Sequence, residues 1–221
     1  MPARSFSHVR NWVFDLDNTL YPPEAALFAQ IEQRMTDWVM RCLGVERAKA
    51  DRMRRTYWQR YGTTLAGLMR EHGVDPGPYL DEVHDIDLSS LRPAPELAAA
   101  IDALPGRKIV HTNGSGSYAG RVLEARGLSG VFDAVYGVEH ARFHPKPERS
   151  AFEAVLARDG ADCRRAAMFE DDPRNLEAPH EMGMRTVLVG ERPVPARRHI
   201  HYRTDDLSGF LRALAAEVPR G

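Results

Sequence analysis

Residues 13–23 read VFDLDNTLYPP. An apolar run ends in two acids, Asp15 and Asp17, with Leu16 between them, and then breaks at Asn18-Thr19 and Tyr21-Pro22-Pro23. Successive side chains of a strand point to opposite faces, so Asp15 and Asp17 point the same way. Two carboxylates held that close repel one another. What keeps both of them there has to come from the rest of the chain or from a bound cation.

Working outward, residues 10–15 read as the first strand. Beyond Pro95 the chain alternates: helix ELAAAIDAL, strand KIVHT, the loop NGSGS, helix YAGRVLEARG, strand AVYGV, helix RSAFEAVLARDG, strand AAMFE, helix PRNLEAPHEMG, strand RTVLVG, strand HIHYRT and helix LSGFLRALAAEV, with Asp205 or Asp206 near its start. Such alternation predicts parallel βαβ units with helices on both faces of one sheet. A lone parallel strand has nothing to pair with, so residues 10–15 join that sheet and residues 22–92 are inserted after it. The insert carries only helical patterning. Leu27, Phe28, Ile31, Met35, Trp38, Val39 and Cys42 recur at helical spacing from Glu24 on, and RMRRTYWQRYGTTLAGLMREHG predicts a further helix closed by Gly73. VDPGPYLDEVHDIDLSSLRPAPE, rich in Pro and Gly, reads as the connection back. The expected architecture is α/β: a Rossmann-like, doubly wound parallel sheet core (1–21 and 93–221) with an inserted helical domain (22–92).

Bulk properties bound the function. The chain has 221 residues, 43% hydrophobic and 28% charged, with a net charge of −1. That balance is ordinary for a globular protein and gives no reason to expect nucleic acid or an anionic membrane as partner. Cys42 and Cys163 make no ligand or redox spacing and read as free thiols of a reducing compartment. No apolar run approaches a membrane span and MPARSFSHVRNW holds no signal-peptide core, so a cytoplasmic location is expected.

In open parallel sheets, ligands sit beyond the C-terminal strand ends. Four polar groups fall there: Asp15 with Asp17, Thr112 with Asn113, Lys146 in HPKPE, and Glu170-Asp171-Asp172. Each alone has an ordinary reading: an Asx-turn, a strand end, a solvated lysine, a helix cap with Pro173 at its first position. Together at one edge, acids from two strands make a hard-oxygen site suited to Mg²⁺, which offsets the repulsion of the first pair. A lysine and backbone N–H groups beside it suit a phosphate. The pattern predicts Mg²⁺-dependent phosphoryl transfer.

DLDNTL, HTNG, PKP and FEDD, in that order from Phe14 to about Gly190, resemble the four motifs of the haloacid dehalogenase superfamily of phosphohydrolases. DLDNTLYPP, YGTTLAGL, VHDID and NLEA look most like its pyrimidine 5′-nucleotidase branch, with a helical cap of the C1, subfamily I type after the first motif. The resemblance implies that Asp15 is the nucleophile and Asp17 the acid and then base. It implies Mg²⁺ on Asp15, the Asp17 backbone carbonyl and Asp171, with Glu170 a direct or water-mediated ligand. Thr112 and the N–H groups of Asn113 and Gly114 would bind the phosphoryl oxygens, and Lys146 would neutralise charge on nucleophile and phosphate. In FEDDPRNLEA, taking Asn175 as anchor makes Glu170 and Asp171 the metal pair and frees Asp172 to cap the next helix; the other register pairs Asp171 with Asp172. Dehalogenases of the superfamily lack the second acid, which favours a phosphatase.

In the cap, Tyr57, Trp58 or Tyr61 could stack on a base and Arg54, Arg55 or Thr63 could meet polar edges. Each taken singly is more simply explained as cap packing or a solvated arginine. VHDID reads as a hinge or a contact between insert and core rather than as chemistry, and His84 lacks a partner at metal spacing. The expected substrate is a small phosphorylated metabolite, a nucleoside monophosphate and among these a pyrimidine one, handled by a monomer or homodimer. The alternatives are phosphoglycolate or sugar phosphates, a phosphomutase, or a catalytically silent ligand-binding member.

Overall fold

The computed structural model describes residues 6–191 and 194–217; positions 1–5, 192–193 and 218–221 of the expected core lie outside the described residues. Six strands form one sheet: β1 (Asn11–Phe14), β2 (Arg107–His111), β3 (Ala134–Tyr136), β4 (Ala166–Glu170), β5 (Arg185–Val189) and β6 (Tyr202–Thr204). All pairings are parallel, in the order β3-β2-β1-β4-β5-β6. From β1 the chain runs to one side through β2 and β3 and to the other through β4, β5 and β6. The order therefore reverses between β1 and β4, and ligand crevices form at such a point.

Strand alternation explains why both faces are covered. Trp12 and Phe14 of β1, Ala167 and Phe169 of β4 and Val187 and Val189 of β5 pack into one cluster. That cluster also takes residues from α5 (Pro95–Asp102), α6 (Gly116–Ala125) and α9 (Leu207–Glu217). The intervening Val13, Ala166, Met168 and Leu188 pack on the opposite face against α7 (Arg149–Asp159) and α8 (Glu177–Glu181). Period two thus splits every central strand between two helix layers, as near-continuous apolar runs predict.

The insert holds four helices, α1 (Leu27–Leu43), α2 (Arg47–Tyr61), α3 (Thr64–His72) and α4 (Pro76–Val83). Val39, Ala50, Tyr57, Leu65, Leu68, Tyr79, Leu80 and Val83 form a cluster of their own, joined by Val138 from the loop after β3. Leu27 and Ile31, at the start of α1, belong instead to the sheet's cluster. Both linkers are tied down. Arg126 Nε donates to Leu20 O (3.2 Å), Ser90 Oγ to Ala25 O (2.9 Å), and Gln30 and Asp87 exchange two hydrogen bonds.

The structure corrects several local expectations. The helix expected over residues 52–73 is two, broken at Gly62. This glycine has φ +85°, and a Cβ there would lie 2.9 Å from Lys146 O. Thr63 then caps α3, its Oγ1 accepting from Ala66 N–H (3.1 Å). The stretch read as a connection contains α4, with Asp75 as cap and Pro76 first in the helix. The helix expected from Glu24 starts as a 3₁₀ turn and is interrupted by Ala26 at φ 55°. PRNLEAPHEMG is a 3₁₀ turn followed by the short α8, and the last strand covers only Tyr202–Thr204. Among the described residues, no helix is long and apolar enough to cross a membrane.

Candidate active site

Pairing with β4 continues one residue past β1: Asp15 N–H donates to Phe169 O (2.9 Å), so the chain is still extended where the first acid stands. Leu16 is fully buried, and its carbonyl then accepts from Thr19 and Leu20 N–H (3.3 and 3.0 Å) in a sharp turn. Asn18 takes φ 59°, a left-handed conformation that Asn tolerates better than most residues. The alternation read from DLD holds, and Asp15 and Asp17 line the same cavity.

Lys146 arrives on the loop between β3 and α7 and is itself buried. Its Nζ donates to Asp15 Oδ1 (2.6 Å), Glu170 Oε2 (2.6 Å) and His111 O (3.0 Å). That loop is held by Asn113, whose side chain accepts from Lys146 N–H (2.8 Å) and donates to Lys146 O (3.0 Å). Burial lowers the lysine's pKa, but the Asp15 and Glu170 carboxylates more than offset it and the net shift is upward. Glu170, the last residue of β4, is pushed well above the usual carboxylate range by burial and then by Asp15. Asp171 is raised to about 7 for the same reasons.

Carboxylate oxygens of Asp15, Glu170 and Asp171 lie within 4.8 Å of one another, the one such cluster among the described residues. Three hard oxygen donors at that spacing, with only one lysine to balance them, fit a divalent cation such as Mg²⁺. Asp172 is not part of that cluster. It caps the next turn through Arg174 N–H (2.9 Å) and holds the Arg174 guanidinium in a fork, while Asn175 Nδ2 donates to Glu170 Oε1 (3.0 Å). Glu170 and Asp171 thus cluster with Asp15, and Asp172 is taken up in the turn that follows.

Thr112 is buried, and its Oγ1 accepts from Gly114 N–H (2.9 Å). In this conformation Gly114's amide is thus engaged within the loop, and the Asn113 N–H has no acceptor among the described residues. Ser115 caps α6, accepting from Tyr118 N–H, and also contacts His84 Nδ1 (3.2 Å). His84, at the returning linker, is lowered to about 4 by burial and stays neutral.

Asp17 is raised to about 6 by burial and by Asp15, against the opposing pull of hydrogen bonds from Tyr21 and Tyr118 and the charge of Lys146. Those two tyrosines escaped the sequence reading, as did the side-chain role of Asn113 and the placement of Arg174. The available signal for Tyr21 was its position four residues after Asp17; Tyr118 gave none.

Above the acids lies a cavity of about 1000 Å³ between the sheet edge and the inserted helices. The two exposed large hydrophobics among the described residues, Trp58 (44%) and Phe28 (39%), both line it. Arg174 Cζ stands 3.4 Å over the Trp58 ring. Arg54, Arg55 and Thr63 also line it, whereas Tyr57 is buried and Tyr61 is engaged with Glu71, as packing rather than substrate contact would have them.

A family model described as haloacid dehalogenase-like hydrolase matches residues 9–183. Phosphate metabolism protein 8 of Saccharomyces cerevisiae is 25% identical over 192 residues, covering 79% of this chain and 60% of its own length, so the chain spans about three fifths of that relative. A HAD phosphatase from Thermococcus onnurineus superposes with a TM-score of 0.63 at 18% identity, covering 95% of this chain and 99% of its own. An L-2-haloacid dehalogenase from Xanthobacter autotrophicus with chloropropionic acid covalently bound gives a TM-score of 0.59 at 15% identity, covering 93% and 98%. At these identities the two structures bear on the fold alone.

Proposed function

Because the chain belongs to the haloacid dehalogenase-like hydrolase family, we propose that it is a phosphomonoester hydrolase working through an aspartyl-phosphate on Asp15, with a pyrimidine nucleoside monophosphate as substrate. An Asp15 oxygen attacks phosphorus as the bond to the leaving oxygen breaks, and Asp17 gives that oxygen its proton. Asp17 then takes a proton from the water that hydrolyses the acyl phosphate. Lys146, bound to Asp15 at 2.6 Å, neutralises nucleophile and phosphoryl group, and Thr112 and the Asn113 N–H meet phosphoryl oxygens. Asp15, Asp171, Glu170 and the Asp17 carbonyl would hold Mg²⁺, which supplies charge neutralisation at the transferring phosphoryl group.

The observation that carries this reading is the second acid. Asp17 stands in the same cavity as Asp15 with a pKa of about 6, able to hold and release a proton near neutrality. A dehalogenase nucleophile needs no such group. Residues 22–92 act as a cap over the core formed by the described residues on either side of them, excluding water and reading the leaving group. A cavity of about 1000 Å³ lined by two partly exposed aromatic side chains, Trp58 and Phe28, favours a leaving group with a planar apolar part over phosphoglycolate.

The test is phosphate release with Mg²⁺ from UMP, CMP, dTMP, AMP, GMP, phosphoglycolate and hexose phosphates, with Asp15→Asn as control. Preference for UMP, CMP or dTMP, lost in the variant, supports the whole reading. Variant-sensitive turnover of other esters keeps the chemistry and rejects the pyrimidine assignment.

A further inference from the structure

Asp17 is held by an arrangement the reaction scheme does not by itself require. Tyr21 Oη donates to Asp17 Oδ1 at 2.5 Å and Tyr118 Oη donates to the same oxygen at 2.8 Å, with the two hydroxyls 3.4 Å apart. Both rings are buried, Tyr21 at 2% and Tyr118 at 0% exposure. Tyr118 is fixed in turn: its ring stacks on His84 (centroids 4.5 Å apart, planes at 7°) and its amide is capped by Ser115. Asp17 Oδ2 has no protein donor among the described residues, and Asp17 lines the cavity.

We propose that Tyr21 and Tyr118 are positioning residues that fill Oδ1 of Asp17 with two phenol hydrogen bonds and so make Oδ2 the oxygen that serves the leaving group. This rests on the phosphatase reading above. Each phenol has a single O–H to give, and a carboxylate oxygen has two lone-pair sites. With both on Oδ1 filled, the proton of the neutral acid resides on Oδ2. As the Asp15–phosphorus bond forms and the bond to the leaving oxygen breaks, that proton passes from Oδ2 to the departing oxygen, and the negative charge left on Asp17 meets two donors already in place. The carboxyl plane is set before substrate arrives, which is where a general acid gains its efficiency. The two tyrosines come from separate elements, Tyr21 from the linker entering the insert and Tyr118 from α6, where its ring stacks on His84.

The experiment compares wild type, Tyr21→Phe, Tyr118→Phe, the double variant and Asp17→Asn on p-nitrophenyl, p-chlorophenyl and phenyl phosphate with Mg²⁺. It measures kcat/KM, which reports the steps through phosphoryl transfer to Asp15. A poorer leaving group needs its proton more. Each Phe variant should therefore lose roughly tenfold more on phenyl than on p-nitrophenyl phosphate, a share of the general-acid contribution. The double variant should approach the leaving-group dependence of Asp17→Asn. A loss by the same factor on all three esters, or no loss, overturns the proposal and leaves the tyrosines as packing. If Asp17→Asn itself shows no steeper dependence than wild type, or wild type turns over none of the esters, the phosphatase reading fails first and takes this proposal with it. Phe keeps ring and volume at both positions, and thermal unfolding of each variant separates lost fold from lost positioning.

Discussion

Replacing Lys146 by Met removes a charge from a buried cluster in which one ammonium pairs with two carboxylates. Its Nζ binds Asp15 and Glu170 at 2.6 Å each, and the side chain is 1% exposed, so water cannot take its place. Methionine is flexible enough to fill the space, and what disappears is the charge and three hydrogen bonds. Removing one partner of a buried pair costs about 3–5 kcal/mol because the other charge is left uncompensated. Here two carboxylates lose their partner, which puts the loss at the upper end. Glu170 already sits above its ordinary pKa through burial and Asp15, and without the ammonium it goes higher. A raised carboxyl favours the fold below its unfolded pKa and loses that stability as pH rises toward its folded pKa. The penalty of Lys146→Met should thus be largest near neutrality and shrink as pH falls toward the carboxylate range. Urea unfolding of both proteins in chelator, so that no divalent cation replaces the ammonium, reads this directly. A Lys146→Met protein within about 1 kcal/mol of wild type at neutral pH, against the roughly 3–5 expected for a broken buried pair, would refute the reasoning.

Other consequences follow from the same geometry. His84 has its pKa lowered to about 4, so its contribution is complete above the ordinary histidine value and is lost as pH falls through the folded one. Stability should drop by up to about 3 kcal/mol across that window, and His84→Phe should flatten the drop in urea titrations. Gly62→Ala places a methyl 2.9 Å from Lys146 O at φ +85°. It should cost more than about 1 kcal/mol of stability and lower kcat, since the strain falls on the loop carrying Lys146; unchanged values of both would contradict that docking. Trp58→Ala removes the ring beneath Arg174. It should raise KM for UMP with a smaller effect on kcat in steady-state assays, and cost roughly 0.5–1 kcal/mol of stability as an exposed cation–π contact.

Much of the core was legible because a doubly wound sheet writes itself twice, once as apolar runs and once as their alternation with helices. Phe14, Phe169 and Val187 are apolar because both faces of the sheet are covered. The acids at Asp15, Glu170 and Asp171 stand out because charge at the end of such a run has no packing reason to be there. The insert was harder. Gly62 looks like one tolerable glycine in a helix until the Lys146 loop is known to press on it, a contact between positions 84 apart in sequence. Around α4, Pro76, Gly77 and Pro78, with Pro93 and Pro95 further on, suggested a connection, although Asp75-Pro76 is a good helix start. Tyr118 and Arg174 were invisible because each acts through a partner, Asp17 or Trp58, that sequence spacing does not bring near.

The central claim is that Asp15 becomes covalently phosphorylated. Acid quenching during turnover of a hydrolysed ester with Mg²⁺, followed by peptide mapping by mass spectrometry, tests it most directly. The account predicts one phosphoryl group on the peptide containing Asp15, absent from Asp15→Asn and accumulating when Asp17→Asn slows hydrolysis of the intermediate. Turnover with no phosphoryl group on that peptide, or with the group on another residue, would contradict it.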